Sequence, residues 1–228
     1  QLGATRVVRF REVGGRVLLE QRNLAFRATS EDDAERAAVA EAFADSVLWS
    51  GEIVVRDPDG RLLVDLTSFL TADLNRLAAR LKSAGQGSFA RDADRSVVDT
   101  RATLAFPDNC VLESILTFAS DEPGGQVRAT AAEPTAPSFV VHQQFVRLPD
   151  GGYEPRRFDP RVSSFAVRFR DYAAGLAEPV DRAFVQRFRL QKVNPGADRS
   201  AVIEPIVFHV DRGAPEPVRT ALVEGARW

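Results

Sequence analysis

The sequence is poor in the residues that most often carry chemistry. It has one cysteine, Cys110, two histidines, His142 and His209, and two lysines, Lys82 and Lys192. A single cysteine excludes an internal disulfide and leaves the compartment open, since cytosolic proteins and some exported bacterial ones both fold without disulfides. Two histidines with no pair at i, i+4 exclude a zinc site of three imidazoles, although carboxylates or Cys110 remain as other donors. No apolar run approaches the roughly 18 residues of a membrane span. The 30 basic and 32 acidic residues are interleaved and leave a net charge of −2. No basic face or stripe is legible, so no nucleic-acid partner is expected. Arginine carries nearly all the positive charge, which fits a GC-rich coding bias better than a phosphate-binding surface. No basic-then-apolar leader precedes Gln1, so Gln1 is not expected to be the natural start.

What is present is a long, ordinary globular composition. The 228 residues are 44% hydrophobic and 27% charged, enough to bury a core in one large domain or two small ones. Strand signals dominate. Thr5–Arg11 and Arg16–Arg22 flank Gly14-Gly15, and Trp49–Arg56 and Arg61–Leu66 flank Asp57-Pro58-Asp59-Gly60; both pairs predict hairpins. Val111–Ala119, Gln126–Thr130, Phe139–Leu148 and Phe165–Tyr172 predict further strands, as do the alternating residues Phe184 to Leu190 and the run Ile203–Val210.

Helix signals are fewer. Ser30 to Asp33 has capping-box spacing ahead of an alanine-rich run to Phe43. Leu70, Leu74, Leu77 and Leu81 share one helical face, with Gly85 as the residue just past the end. Pro217 stands at the start of a last helix that carries Val218 and Leu222 on one side and runs to Trp228. The expected class is α+β, a mainly antiparallel sheet with two or three helices packed on it.

Several stretches follow a pattern of order and spacing. They are Gln1–Phe10, Phe43–Trp49, Asp94-Arg95-Ser96, Phe106–Asn109, Leu116-Thr117-Phe118, Tyr153–Arg161 and, closest of all, Gly213–Trp228. In these the chain resembles the N-terminal domain of unassigned function that precedes the catalytic domain of bacterial metzincin-like zinc metalloproteases. The resemblance implies a non-catalytic domain over residues 1–200. It also implies that residues 201–228 open the catalytic domain, with Pro205–Val210 as its first strand and Pro217–Trp228 as its first helix. The family's zinc motif, His-Glu-x-x-His-x-x-Gly-x-x-His, would lie beyond Trp228, so the chain itself carries neither catalytic residues nor a cofactor. Val218, Leu222 and Trp228 would contact the catalytic domain, a polypeptide would be the parent's substrate, and the parent would be secreted or periplasmic. Phe188 departs from the family pattern, which tends to carry His there.

Few residues compete for a role of their own. Tyr153, Arg156, Arg157, Asp159 and Arg161, near Phe158, Phe165 and Arg168, form the densest mixture of charge and aromatic rings. That mixture suits a docking surface for a protease domain or a polypeptide, and equally suits a solvated loop held by local ion pairs. Cys110 lacks the neighbouring Arg and Gly of known zinc-blocking thiols and reads as a structural thiol. His209 reads as a strand residue. No Gly-x-Ser-x-Gly or phosphate-binding glycine loop occurs, and Glu52, Asp65 and Asp73 are scattered. An alternative from another class is a free-standing β-rich module that binds a peptide or glycan.

Overall fold

The structure, a computed structural model, describes residues 5–149 and 151–226. The fold is α+β and dominated by antiparallel strands. The chain forms two compact units. The first holds residues 1–150 and 170–180, and the second holds residues 151–169 and 181–228.

The first unit contains two antiparallel sheets. One has the order β1-β2-β4-β5, built from β1 (Val8–Val13), β2 (Arg16–Gln21), β4 (Ser46–Arg56) and β5 (Leu62–Val64). The β1–β2 turn places Gly14 and Gly15 at φ 57° and 77°, the pair of left-handed residues that matches the twist of a tight hairpin. The β4–β5 turn closes with Gly60 N–H on the Asp57 carbonyl and Asp57 N–H on the Arg61 carbonyl, each at 3.0 Å. The other sheet has the order β6-β7-β8, from β6 (Ala90–Ala105), β7 (Asn109–Ala119) and β8 (Ser138–Val146). A short parallel pairing joins β3 (Phe26–Arg27) to Arg170 and Asp171 of β9 (Ala166–Asp171).

Two apolar clusters fill this unit. Leu19, Trp49, Phe69 and Leu70 form one, with Val98, Leu112 and Phe145 packed against it. Phe89, Leu116, Phe118, Val127 and Val141 form the other, with Leu77, Leu81 and Phe139 against it. The helices between them revise the expected leucine face. In place of one helix there are two, α2 (Thr67–Leu70) and α3 (Leu77–Ser83), preceded in the chain by α1 (Asp33–Ala42). Arg76 takes a left-handed φ of 54° between α2 and α3. The Asp73 carboxylate accepts the N–H groups of Leu77 and Ala78 at 2.6 and 3.0 Å, so it caps the start of α3 and stops α2 from running on. Leu70 and Leu74 then serve one cluster while Leu77 and Leu81 serve the other. At the far end the expectation for Gly85 holds. Gly85 donates to the Lys82 carbonyl and Gln86 to the Leu81 carbonyl, a complete Schellman closure with Gly85 at φ 68°.

Two further expectations are corrected. Gln126–Thr130 is not a strand but lies in α4 (Gly125–Thr130). Its first amides are capped from outside, since the Gln86 side-chain oxygen accepts the N–H of Gln126 at 2.9 Å and of Val127 at 3.3 Å. The capping residue of α1 is Asp32, whose side chain accepts the Ala34 N–H, and not Ser30, which instead accepts the Asp32 N–H.

The outer face of the first sheet carries an ionic cluster. Arg9 and Glu20 are directly opposed in the β1–β2 register. The Glu20 carboxylate, only 2% exposed, accepts hydrogen bonds from Arg9 at 2.9 Å and from Arg11. Asp45 pairs with Arg9 and Arg22 at 3.1 Å each. The Arg11 hydrogen bond, with Arg9 behind it, holds the Glu20 carboxyl at about 2, well below the usual carboxylate range, against the opposing effect of burial.

Candidate functional site

The expected docking residues lie in the second unit, along β10 (Asp181–Val185) and the residues after it. The long connection before β9 is pinned there by its backbone. Arg157 bridges Phe184 in antiparallel fashion, Phe158 N–H donates to the Ala183 carbonyl and Val185 N–H donates to the Arg156 carbonyl, both at 2.9 Å. Phe169, buried on β9, meets the Phe184 ring at 5.5 Å.

The five residues then sort by what they touch. Asp159 and Arg161 satisfy each other. The Asp159 carboxylate accepts the Arg161 N–H at 2.9 Å and its guanidinium at 2.6 to 3.1 Å. The same contact lowers the Asp159 carboxyl and raises the Arg161 guanidinium. This is the local ion pair of a solvated loop, screened by the water around it. Tyr153 is covered on one face by the Arg187 guanidinium, 5.3 Å from the ring centre, while Arg187 also donates to the Glu154 carbonyl at 3.1 Å. Arg168 sits over the Phe158 ring at 5.3 Å. Arg156 and Arg157 are exposed and make no side-chain ion pair or hydrogen bond among the described residues.

This stretch therefore presents two exposed arginines, Arg156 and Arg157, and two arginine-covered rings, and Phe165 and Phe188 of the same unit are 82% and 65% exposed. Stacked arginines and aromatic rings of this kind recur at polypeptide interfaces. Arg187 is the member that the local charge cluster did not reveal. Its signal was the alternation of Arg187 and Arg189 with apolar residues, which aims both to one side of an extended segment.

The segment from residue 203 onward differs from expectation. Ile203–Val210 forms no strand; Val202, just before it, bridges Lys192, and the Ile203 N–H donates to the Gln191 carbonyl at 2.9 Å. Beyond that bridge it meets no partner strand among the described residues, and Ile203, Val207 and Phe208 are 60%, 62% and 71% exposed. The last helix is present as α5 (Val218–Gly225), with no buried residue. Val218 and Leu222 are 50% and 52% exposed. Trp228 and Arg227, like Gln1–Ala4 of the first matching stretch, lie outside the described residues.

The remaining candidates are dispersed. His142 donates from Nδ1 to the Glu113 carboxylate at 2.8 Å across β7 and β8. His209 is exposed on the irregular segment, not on a strand, and Cys110 is half-buried in β7 opposite Ala105 and Phe145. Among the described residues no three His, Cys, Asp or Glu side chains converge to hold a metal. These residues do not fit the zinc that the resemblance implies for the parent protein. Among the described residues no helix is long and apolar enough to cross a membrane.

A comparison with known families matches residues 1–193 to one described as Domain of unknown function (DUF5117). The match ends at Val193, ahead of the expected boundary between Ser200 and Ala201. No curated protein matches the chain, and no solved structure does. A match over residues 1–193 of 228 covers most of the sequence, and the chain belongs to the DUF5117 family.

Proposed function

We propose that this chain is the non-catalytic N-terminal region of a bacterial zinc-dependent metallopeptidase, a structural and docking region that also assists folding as a prodomain does. The zinc ligands and the general base belong to sequence beyond Trp228. One observation supports this most. The apolar run Ile203–Val210, read as a strand, forms none, and the helix after it buries nothing. Each large apolar side chain left in water forgoes about 1.5–3 kcal/mol of burial. Exposure of Ile203, Val207, Phe208, Val218 and Leu222 is what a catalytic domain's first strand and helix become without the sheet that covers them. The family match stops before this segment, which supports separate origins for the two parts. Tyr153, Arg156 and Arg157 supply a second surface, for the catalytic domain or the polypeptide it cleaves. A secreted or periplasmic location follows from the peptidase reading.

The test is to express the gene together with whatever coding sequence follows Trp228. Expected are stoichiometric zinc, chelator-sensitive proteolysis, and slower amide exchange over residues 203–226 than in the 228-residue chain. A longer protein without zinc, or exchange over 203–226 that does not change, overturns the reading.

A further inference from the structure

The four edge strands of the two sheets in the first unit are protected very unequally. An open edge presents unpaired N–H and C=O groups, and proteins blunt such edges with charge, proline, bulges or brevity. β1 carries Arg9, Arg11 and Glu12, and β5 has three residues. β6 is broken by two register shifts and carries Arg91, Asp92, Asp94, Arg95, Asp99 and Arg101. β8 has none of these devices. Its nine residues, Ser-Phe-Val-Val-His-Gln-Gln-Phe-Val, include no charge and no proline, and its pairing with β7 is unbroken.

The ladder fixes which groups are open. Phe118 N–H donates to the Pro137 carbonyl and Arg147 N–H to the Asp108 carbonyl, at 3.0 and 2.8 Å. Alternation in an antiparallel pair then turns the backbone of Phe139, Val141, Gln143 and Phe145 toward β7. Val140, His142, Gln144 and Val146 turn theirs away, and among the described residues β8 has no second neighbour. Val140 and Val146 are 58% and 62% exposed.

We infer that β8 pairs with β8 of a second copy, antiparallel about His142, joining two three-stranded sheets into one of six strands. The strand suits itself as a partner. The outward backbone groups fall on even-numbered residues, so a two-fold axis at His142 brings outward groups against outward groups. Val140 faces Gln144 of the other copy, Phe139 faces Phe145, and His142, which contacts Glu113 of its own chain, faces its own counterpart. The ends are complementary in charge. Arg147, whose side chain is 73% exposed, has only a 3.8 Å contact to Asp108 in its own chain. In the paired arrangement it comes level with Pro137 of the other copy. Pro137 lines a groove of about 790 Å³ with Leu77, Leu81, Val127 and Phe139; Glu133 lies on its lining four residues from Pro137, and Arg80 lies on the lining too. A guanidinium arriving there meets an exposed carboxylate.

Light scattering or sedimentation of the 228-residue chain at micromolar concentration tests this. The expected mass is twice 25.0 kDa. Gln144→Pro removes only an outward N–H and should yield monomer with an unchanged circular dichroism spectrum. Arg147→Glu should weaken the dimer about tenfold, and adding Glu133→Arg should restore it. If Gln144→Pro fails to fold, the charge reversal and its rescue decide. A 25.0 kDa species at all concentrations overturns the inference, even if β8 accepts some other peptide. So does a dimer indifferent to both charge reversals.

Discussion

The six-membered ring of Trp49 lies across Gly51, its neighbour two residues along the same face of β4. A Cβ built on Gly51 would stand 2.1 Å from the ring. The indole is held in that place from the other end, where its N–H donates to the Ser68 hydroxyl at 2.8 Å, and its edge meets Phe69 with ring centres 6.4 Å apart. Gly51 is thus part of the floor of the first cluster. Gly51→Ala should destabilise the protein by about 1–3 kcal/mol through overpacking, since the ring cannot retreat without losing Ser68. A denaturant midpoint equal to wild type would show that the indole has another place to go.

Gln86 holds the start of α4 from a distance of forty residues along the chain. Gln86→Ala leaves two helix amides without their acceptor, and a lost cap costs about 0.5–2 kcal/mol. Gly124→Ala should cost at least as much, because its Cβ would sit 2.5 Å from the Gln86 Cα. Amide exchange at Gln126 and Val127 distinguishes this from a general loss of stability. Both amides should open faster in Gln86→Ala while those of β2 do not.

Acid should weaken the first sheet through Glu20. Its folded pKa of about 2 lies below an unfolded value near 4.3, so the carboxylate stabilises the fold fully above the unfolded value. That contribution is lost as pH falls from about 4.5 toward 2. Urea midpoints measured across this window should drop, and in Glu20→Gln the part of the drop due to this group should vanish. At neutral pH the same variant should lose about 1.5–3 kcal/mol, the worth of hydrogen bonds to a charged group, because Arg9 and Arg11 keep access to water. An identical acid slope in variant and wild type would place the sensitive group elsewhere.

Leu70→Ala should cost about 2–5 kcal/mol, since Leu70 is 5% exposed. Leu81→Ala, from a half-buried site, should cost less. Because the two side chains belong to different clusters, the double variant should show the sum of the two losses within about 0.5 kcal/mol. A larger coupling would mean that the clusters respond as one.

The two hairpins and β7, β8 and β9 were legible because their signals are local: a turn dictated by Gly14-Gly15 or Asp57–Gly60, a β-rich run in β7 and β8, and alternation along β9. What was illegible depends on partners far away in sequence. β6 was hidden by its own charges. Asp92 and Asp99 mark its two irregular stretches, where each carboxylate accepts a nearby N–H, from Arg95 and Arg101, and each carbonyl accepts the hydroxyl four residues on, from Ser96 and Thr103. A segment so polar reads as a loop until β7 lies beside it. α4 reads as a strand until Gln86 is placed at its end. The leucine spacing from 70 to 81 fits one helix, and only the Asp73 cap and the left-handed Arg76 divide it. In the candidate site the aromatic and arginine content was legible, but its partners come from later in the chain, Phe184 from β10 and Arg187 from the irregular segment after it, and the neutralisation of Asp159 by Arg161 is a side-chain geometry that sequence spacing does not fix.

The parallel pairing of β3 with β9 has a consequence for biosynthesis. Thr29 N–H donates to the Asp171 carboxylate across 142 residues of chain, and residues 170–180 belong to the first unit although residues 151–169 do not. A ribosome must therefore deliver most of the polypeptide before the first unit can close. Until then β3 waits without its neighbour, and the nascent chain depends on the two earlier hairpins to stay ordered. Contacts of such long sequence separation form slowly, so the interval between the emergence of β3 and that of β9 is where a chaperone would have its longest opportunity to act on this protein.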